Sequence, residues 1–81
     1  MRAVALSVLL IAFSSSVFAQ NFDKGMQAAR SGDYKAALGE WTPLAEQGNA
    51  LAQYYVGLMH QNGQGVPKDL SGAVTWYERA A

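Results

Sequence analysis

From position 20 onward, apolar residues recur at steps of three and four, with no run of strict alternation, which is the period of helices that bury one face. Ala37, Leu38, Trp41, Leu44 and Ala45 form one such face, and Ala73, Val74, Tyr77, Ala80 and Ala81 form another. The pattern predicts four helices, over about 21–30, 34–47, 50–61 and from 70 to at least 81. Asp33 and Asp69 stand where a carboxylate accepts a helix-opening N–H bond, and Gly32 and Gly48 where a helix closes on a left-handed residue. Pro43 falls inside the second pattern, where proline costs roughly 3 kcal/mol by removing a ladder donor and crowding the preceding turn. A bend near 39–42 is the expected result, and the fold class is all-α.

The apolar faces repeat. The segment that opens at Asp33 lies over the one that opens at Asp69 at an offset of 36, which pairs Ala37 with Ala73, Leu38 with Val74, Trp41 with Tyr77 and Ala45 with Ala81. The preceding helices repeat at an offset of 32, pairing Phe22 with Tyr54, Gly25 with Gly57 and Met26 with Leu58. The difference is absorbed where the turn at 30–33 becomes the longer loop at 62–69. The unit is helix, turn, helix, present twice, and such hairpins bury their apolar faces by stacking on neighbours.

The first 19 residues are set apart. Arg2 gives a positive start, 3–13 are apolar, Ser14, Ser15 and Ser16 follow, and Val17-Phe18-Ala19 forms a small-x-small cleavage pattern. The apolar run falls short of the roughly 20 residues of a spanning helix. A secretory signal peptide over 1–19 is expected, followed by one small domain divided into hairpins at 20–49 and 50–81. The protein is then exported, periplasmic or secreted, with no stable membrane anchor after cleavage.

Charge and composition narrow the partners. After Ala19 the chain holds five basic and six acidic residues, alternating in sign without a basic stripe, so nucleic acid is excluded as an expected partner. The chain has no cysteine, and therefore no thiolate nucleophile, disulfide or cysteine metal knuckle. A core of this size rarely supplies more than about 3–5 kcal/mol. Partners or self-association are expected to add to it.

The segment 52–81 resembles the Sel1-like repeat, a relative of the tetratricopeptide repeat, through Ala52, Val56-Gly57, Gly63, Gly65-Val66, Asp69, Ala73, Trp76-Tyr77 and Ala80-Ala81. The segment from about Asn21 looks like a degenerate copy. The resemblance implies α-α hairpins, about two of them, forming a fragment of a right-handed α-solenoid. His60 departs from the pattern, standing where the family usually carries an aromatic residue. The chain stops at Ala81, where the family adds a Gly-Asn or Gly-His turn, so a fragment or shortened relative of longer arrays is expected.

Catalytic candidates are sparse. His60 is the single histidine and has no metal-ligand set or acid pair beside it in sequence. Ser31 and Ser71 lie at helix turns outside any nucleophile-elbow motif, and Gly63-Gln64-Gly65 is followed by Val66-Pro67-Lys68-Asp69 where a phosphate loop ends in Gly-Lys-Ser/Thr. No catalytic residue, cofactor or metal is expected, and the protein is read as a non-enzyme.

The resemblance implies that the outward faces of the first helices line a concave groove for a peptide or partner helix. Phe22, Met26, Tyr54, Leu58 and Gln61 are the expected partner-binding residues, their aromatic and methionine side chains suiting adaptable contacts. The same spacing also fits a core or a self-association face. The favoured function is an exported adaptor or scaffold for protein–protein contacts. The alternatives are a small secreted effector or accessory protein acting on a host or competitor, and, more weakly, a cell-wall or β-lactam hydrolase.

Overall fold

A computed structural model of the protein describes residues 21–81, so the leader expected over 1–19 lies outside the described residues. Within them stand four helices and no strand: α1, described over 21–30, α2 (Tyr34–Glu46), α3 (Ala50–Asn62) and α4 (Leu70–Ala80). Each boundary is written locally. Oδ1 of Asp33 accepts from the N–H of Ala36 at 3.2 Å, and Oδ1 of Asp69 accepts from Gly72 at 2.9 Å. Asn49 opens α3 in the same way, accepting from Ala52 at 2.9 Å, a cap beyond the two expected at Asp33 and Asp69.

The helix ends share one closure. The N–H of Asp33 reaches back to the carbonyl of Ala28, that of Asn49 to Leu44 and that of Gln64 to Met59, all at 2.9–3.0 Å. The geometry needs left-handed backbone at the intervening residue, which Gly32, Gly48 and Gly63 supply at φ 84°, 97° and 68°. Across Pro43, α2 is unbroken. Its missing N–H would have bonded to Gly39, whose exposed position lets solvent take that place. The hydroxyl of Thr42 donates to Leu38 at 2.7 Å in the same stretch.

α3 is the central element and packs against both α2 and α4. The core between the hairpins holds Ala37, Trp41, Leu44 and Ala45 from α2 against Ala52, Val56 and Met59 from α3. Phe22, Met26, Leu38 and Tyr55 pack around it, half-buried. The indole N–H of Trp41 donates to the carbonyl of Phe22 at 3.1 Å, fixing α1 to α2. Gln53 is buried among these residues at 4 % exposure, its amide donating to the carbonyl of Ala45 at 3.0 Å.

The matching face of α4 behaves differently from the sequence expectation. Ala73 alone is buried there, while Val74 is 53 % exposed and Tyr77 and Ala80 are half-buried. The reason is coverage. α3 lies over the face of α2, and among the described residues no helix lies over the equivalent face of α4. The loop between α3 and α4 folds back instead, so that Gly65, at φ 78°, stands against the backbone of Tyr34 and Lys35 at the head of α2. A β-carbon there would lie 2.8 Å from the carbonyl oxygen of Tyr34.

Candidate functional site: an apolar groove between α3 and α4

The uncovered face forms a groove. Tyr54, Leu58 and Gln61 line it from α3, Tyr77 and Ala80 from α4, and Ala50, Leu51 and Ala81 lie at its ends, enclosing about 770 Å³ open to solvent. Tyr54 is 46 % exposed and Leu51 52 %. The asparagine cap sets the start of α3, and the helical step of four then brings Tyr54 and Leu58 onto one side while Ala52, Val56 and Met59 face the core.

Aromatic rings build the wall. Tyr54 and Tyr77 lie with ring centroids 5.7 Å apart at 37°, and Tyr55 meets Tyr54 edge-on at 5.5 Å. Gly57 lets α4 approach closely, since a β-carbon on it would fall 2.8 Å from the Tyr77 ring. The Tyr77 hydroxyl donates to Oε1 of Gln61 at 2.6 Å along the rim. Desolvation pushes that hydroxyl above the usual phenol value, with a smaller contribution from Tyr54. At the back of α4, the guanidinium of Arg79 lies 4.4 Å from the Trp76 ring centroid.

Of the sequence-expected partner-binding residues, Tyr54, Leu58 and Gln61 line this groove. Phe22 and Met26 pack on the core of the first hairpin, where the Phe22 ring lies 5.7 Å from Trp41 and 5.8 Å from Tyr55. The two repeats therefore do not form one continuous groove along α1 and α3. Tyr77, expected on a buried face, is a groove wall. Its pairing with Trp41 at the 36-residue offset shows that it faces the repeat's apolar side, but not whether anything covers it.

The titratable and hydroxyl groups serve the helix ends. Nδ1 of His60 lies 2.8 Å from the carbonyl of Val56, which only accepts, so that nitrogen carries the proton. Ser31 donates to the carbonyl of Ala28 at 2.9 Å, and Ser71 to Oδ1 of Asp69 at 3.2 Å. The Asp69 carboxyl lies below its ordinary range chiefly because the N–H of Gly72 donates to it. Among the described residues no cluster of histidine and carboxylates is placed to hold a metal ion, and no helix is long and apolar enough to cross a membrane.

One comparison with known proteins falls on this segment. The family model of the Sel1 repeat matches residues 50–81. The DAP3-binding cell death enhancer 1 of Rattus norvegicus is 44 % identical over 50 residues, and that of Mus musculus 42 %, each alignment covering 62 % of this chain and 10 % of the relative. The chitin synthase regulator SKT5 of Malassezia restricta is 53 % identical over 36 residues, 44 % of this chain and 2 % of that protein. The chain thus spans about a tenth or less of the length of these relatives. No solved structure matches it. Sel1 repeats generally mediate protein–protein contacts and are generally not catalytic. The match begins at the first residue of α3 and runs through α4, so it coincides with the groove-bearing hairpin, which is similar to a Sel1 repeat.

Proposed function

We propose that this chain is an exported helical-repeat module that holds a protein or peptide partner in the groove between α3 and α4 and performs no chemistry of its own. The observation that carries the reading is the apolar wall of Tyr54, Leu58 and Tyr77, held open to solvent on a hairpin whose opposite face is locked into the core. Exposed aromatic and aliphatic side chains on a rigid support are the usual anchors of protein interfaces. The DAP3-binding enhancer is, by its name, a binding protein, in keeping with this reading. Export rests on Arg2, the apolar run 3–13 and Val17-Phe18-Ala19, a pattern that sends the product to the periplasm or beyond the cell.

The test is Tyr54→Glu and Leu58→Glu. Either change is expected to abolish partner capture by the tagged chain while helicity, followed by circular dichroism, stays intact. Capture that survives in both folded variants would remove the groove from the function. For export, mass analysis of the protein from the extracytoplasmic fraction should find an N-terminus at Gln20; a cell-retained product that begins at Met1 would overturn that part.

A further inference from the structure

Asn62 and Gly63 stand side by side where α3 ends, and that pairing carries chemistry of its own. The side-chain carbonyl carbon of an asparagine is open to attack by the backbone nitrogen of the next residue, and the approach is least crowded when that residue has no β-carbon. Both residues are exposed, Asn62 as the last residue of α3 and Gly63 as its left-handed cap at φ 68°. The other asparagines are placed differently. Asn49 precedes Ala50, and its Oδ1 is held by the N–H of Ala52 at 2.9 Å, while Asn21 precedes the bulky Phe22.

We propose that Asn62 is a site of spontaneous deamidation through a succinimide, and that its products loosen the hold of the loop between α3 and α4 on the head of α2. The Gly63 nitrogen bonds to Cγ of Asn62, its proton departs with the side-chain nitrogen as ammonia, and a cyclic imide closes. Water then opens the ring. Attack at the side-chain carbonyl yields aspartate, and attack at the main-chain carbonyl yields isoaspartate, whose backbone runs through Cβ and is one atom longer.

The native closure sets the pace. The N–H of Gly63 donates to the carbonyl of Met59, and that of Gln64 reaches the same oxygen at 2.9 Å, so the Gly63 nitrogen must leave its helical bond before it attacks. The last turn of a helix opens locally without global unfolding, and this one ends on solvent-exposed residues. Conversion therefore runs in the folded chain, at a slower rate than in the unfolded one.

Either product works against the closure. A carboxylate on the last residue of α3 faces the negative end of that helix. Isoaspartate does more, because the added atom shifts Gly63 relative to Met59 and to Lys68, whose backbone nitrogen lies 3.4 Å from where a β-carbon on Gly63 would stand. The loop is held by these end bonds and by the N–H of Asp69, which donates to the carbonyl of His60 at 2.8 Å. Once they slacken, Gly65 loses its fixed seat against the backbone of Tyr34 and Lys35.

The test follows the purified, isotope-labelled chain through incubation in warm, mildly alkaline buffer by peptide mapping and mass spectrometry. A gain of about 1 Da is expected at Asn62, as ammonia is lost and water taken up, while Asn49 and Asn21 stay unchanged. An isoaspartyl methyltransferase should label the same peptide. The chain in concentrated urea should convert faster, and Asn62→Gln should stay unconverted in both conditions. In the converted fraction, separated by ion exchange on its added negative charge, amide exchange at Gln64 and Asp69 should rise by roughly ten-fold or more, and the signals of Tyr34 and Lys35 should move. No gain at Asn62 in the folded chain would overturn the site. Equal conversion at Asn49 would overturn its selectivity. A converted fraction in which Gln64 and Asp69 exchange as slowly as before would overturn the loosening of the loop.

Discussion

Gly57 lies directly beneath Tyr77: a β-carbon on it would meet Cε1 of that ring at 2.8 Å and Cβ of Trp76 at 3.2 Å. Gly25 stands in the same relation to Trp41, closer still. The two rings differ in freedom. Trp41 is buried and tied through its indole N–H to Phe22, whereas Tyr77 borders solvent and has room to swing outward. Gly25→Ala is therefore expected to cost about 2–3 kcal/mol and Gly57→Ala about 1 kcal/mol in urea melts, within the range for overpacking. Equal losses would show that the Tyr77 ring is as fixed as Trp41.

Gln53 is the one buried polar side chain of the described residues, and its amide closes the carbonyl of Ala45 at the turn between α2 and α3. Gln53→Leu keeps most of the volume and removes one of two donors, leaving that oxygen with the N–H of Gly48 at 3.1 Å. A loss of about 1 kcal/mol is expected, that of one ordinary hydrogen bond. An unchanged denaturation midpoint would mean that the Gly48 N–H alone satisfies the carbonyl.

Asp69 gives the fold an acid-side sensitivity. The N–H of Gly72 stabilises its ionised form and the Ser71 hydroxyl adds to this, so the native carboxyl releases its proton at lower pH than the unfolded one. Its stabilising contribution is present above the unfolded value near pH 3.8 and is lost as pH falls through the native value. Asp69→Asn keeps a capping oxygen and removes the titration. Thermal melts from neutral to strongly acid pH should show a flatter acid limb for the variant than for the native chain.

Tyr77 acts on the alkaline side. Desolvation and the neighbouring Tyr54 make the native hydroxyl hold its proton above the ordinary value of 10.0. Its stabilising contribution is complete below the unfolded value and disappears as pH rises through the native one. Ultraviolet titration should resolve one late phenolate, moved to lower pH by Tyr54→Phe. Four tyrosines titrating together would contradict the desolvation.

Much of this architecture is legible in the residues because it is local. Asp33, Asp69, Gly32 and Gly48 act within one turn of themselves, and spacing alone places Trp41, Leu44 and Ala45 on a buried face. Coverage is not local. Phe22 and Tyr54 are equivalent in the repeat, yet one packs on the core and the other lines a groove, because Tyr55 lies over Phe22 and Trp41 and no counterpart among the described residues lies over Tyr54 and Tyr77. Val74 and Tyr77 carry the same apolar signature as Leu38 and Trp41, and periodicity identifies a face without saying what meets it. The burial of Gln53 escaped for a related reason, since its partner Ala45 belongs to the preceding helix.

The approach of Gly65 to Tyr34 bears on how the two hairpins move as mechanical parts. Stacked helices alone meet along one seam and can pivot about it like leaves on a hinge. The loop before α4 reaches across to the head of α2 and adds a second point of attachment away from that seam. Two separated fixings resist torsion where one does not, so the pitch between successive hairpins is set by backbone contact and not by side-chain packing alone.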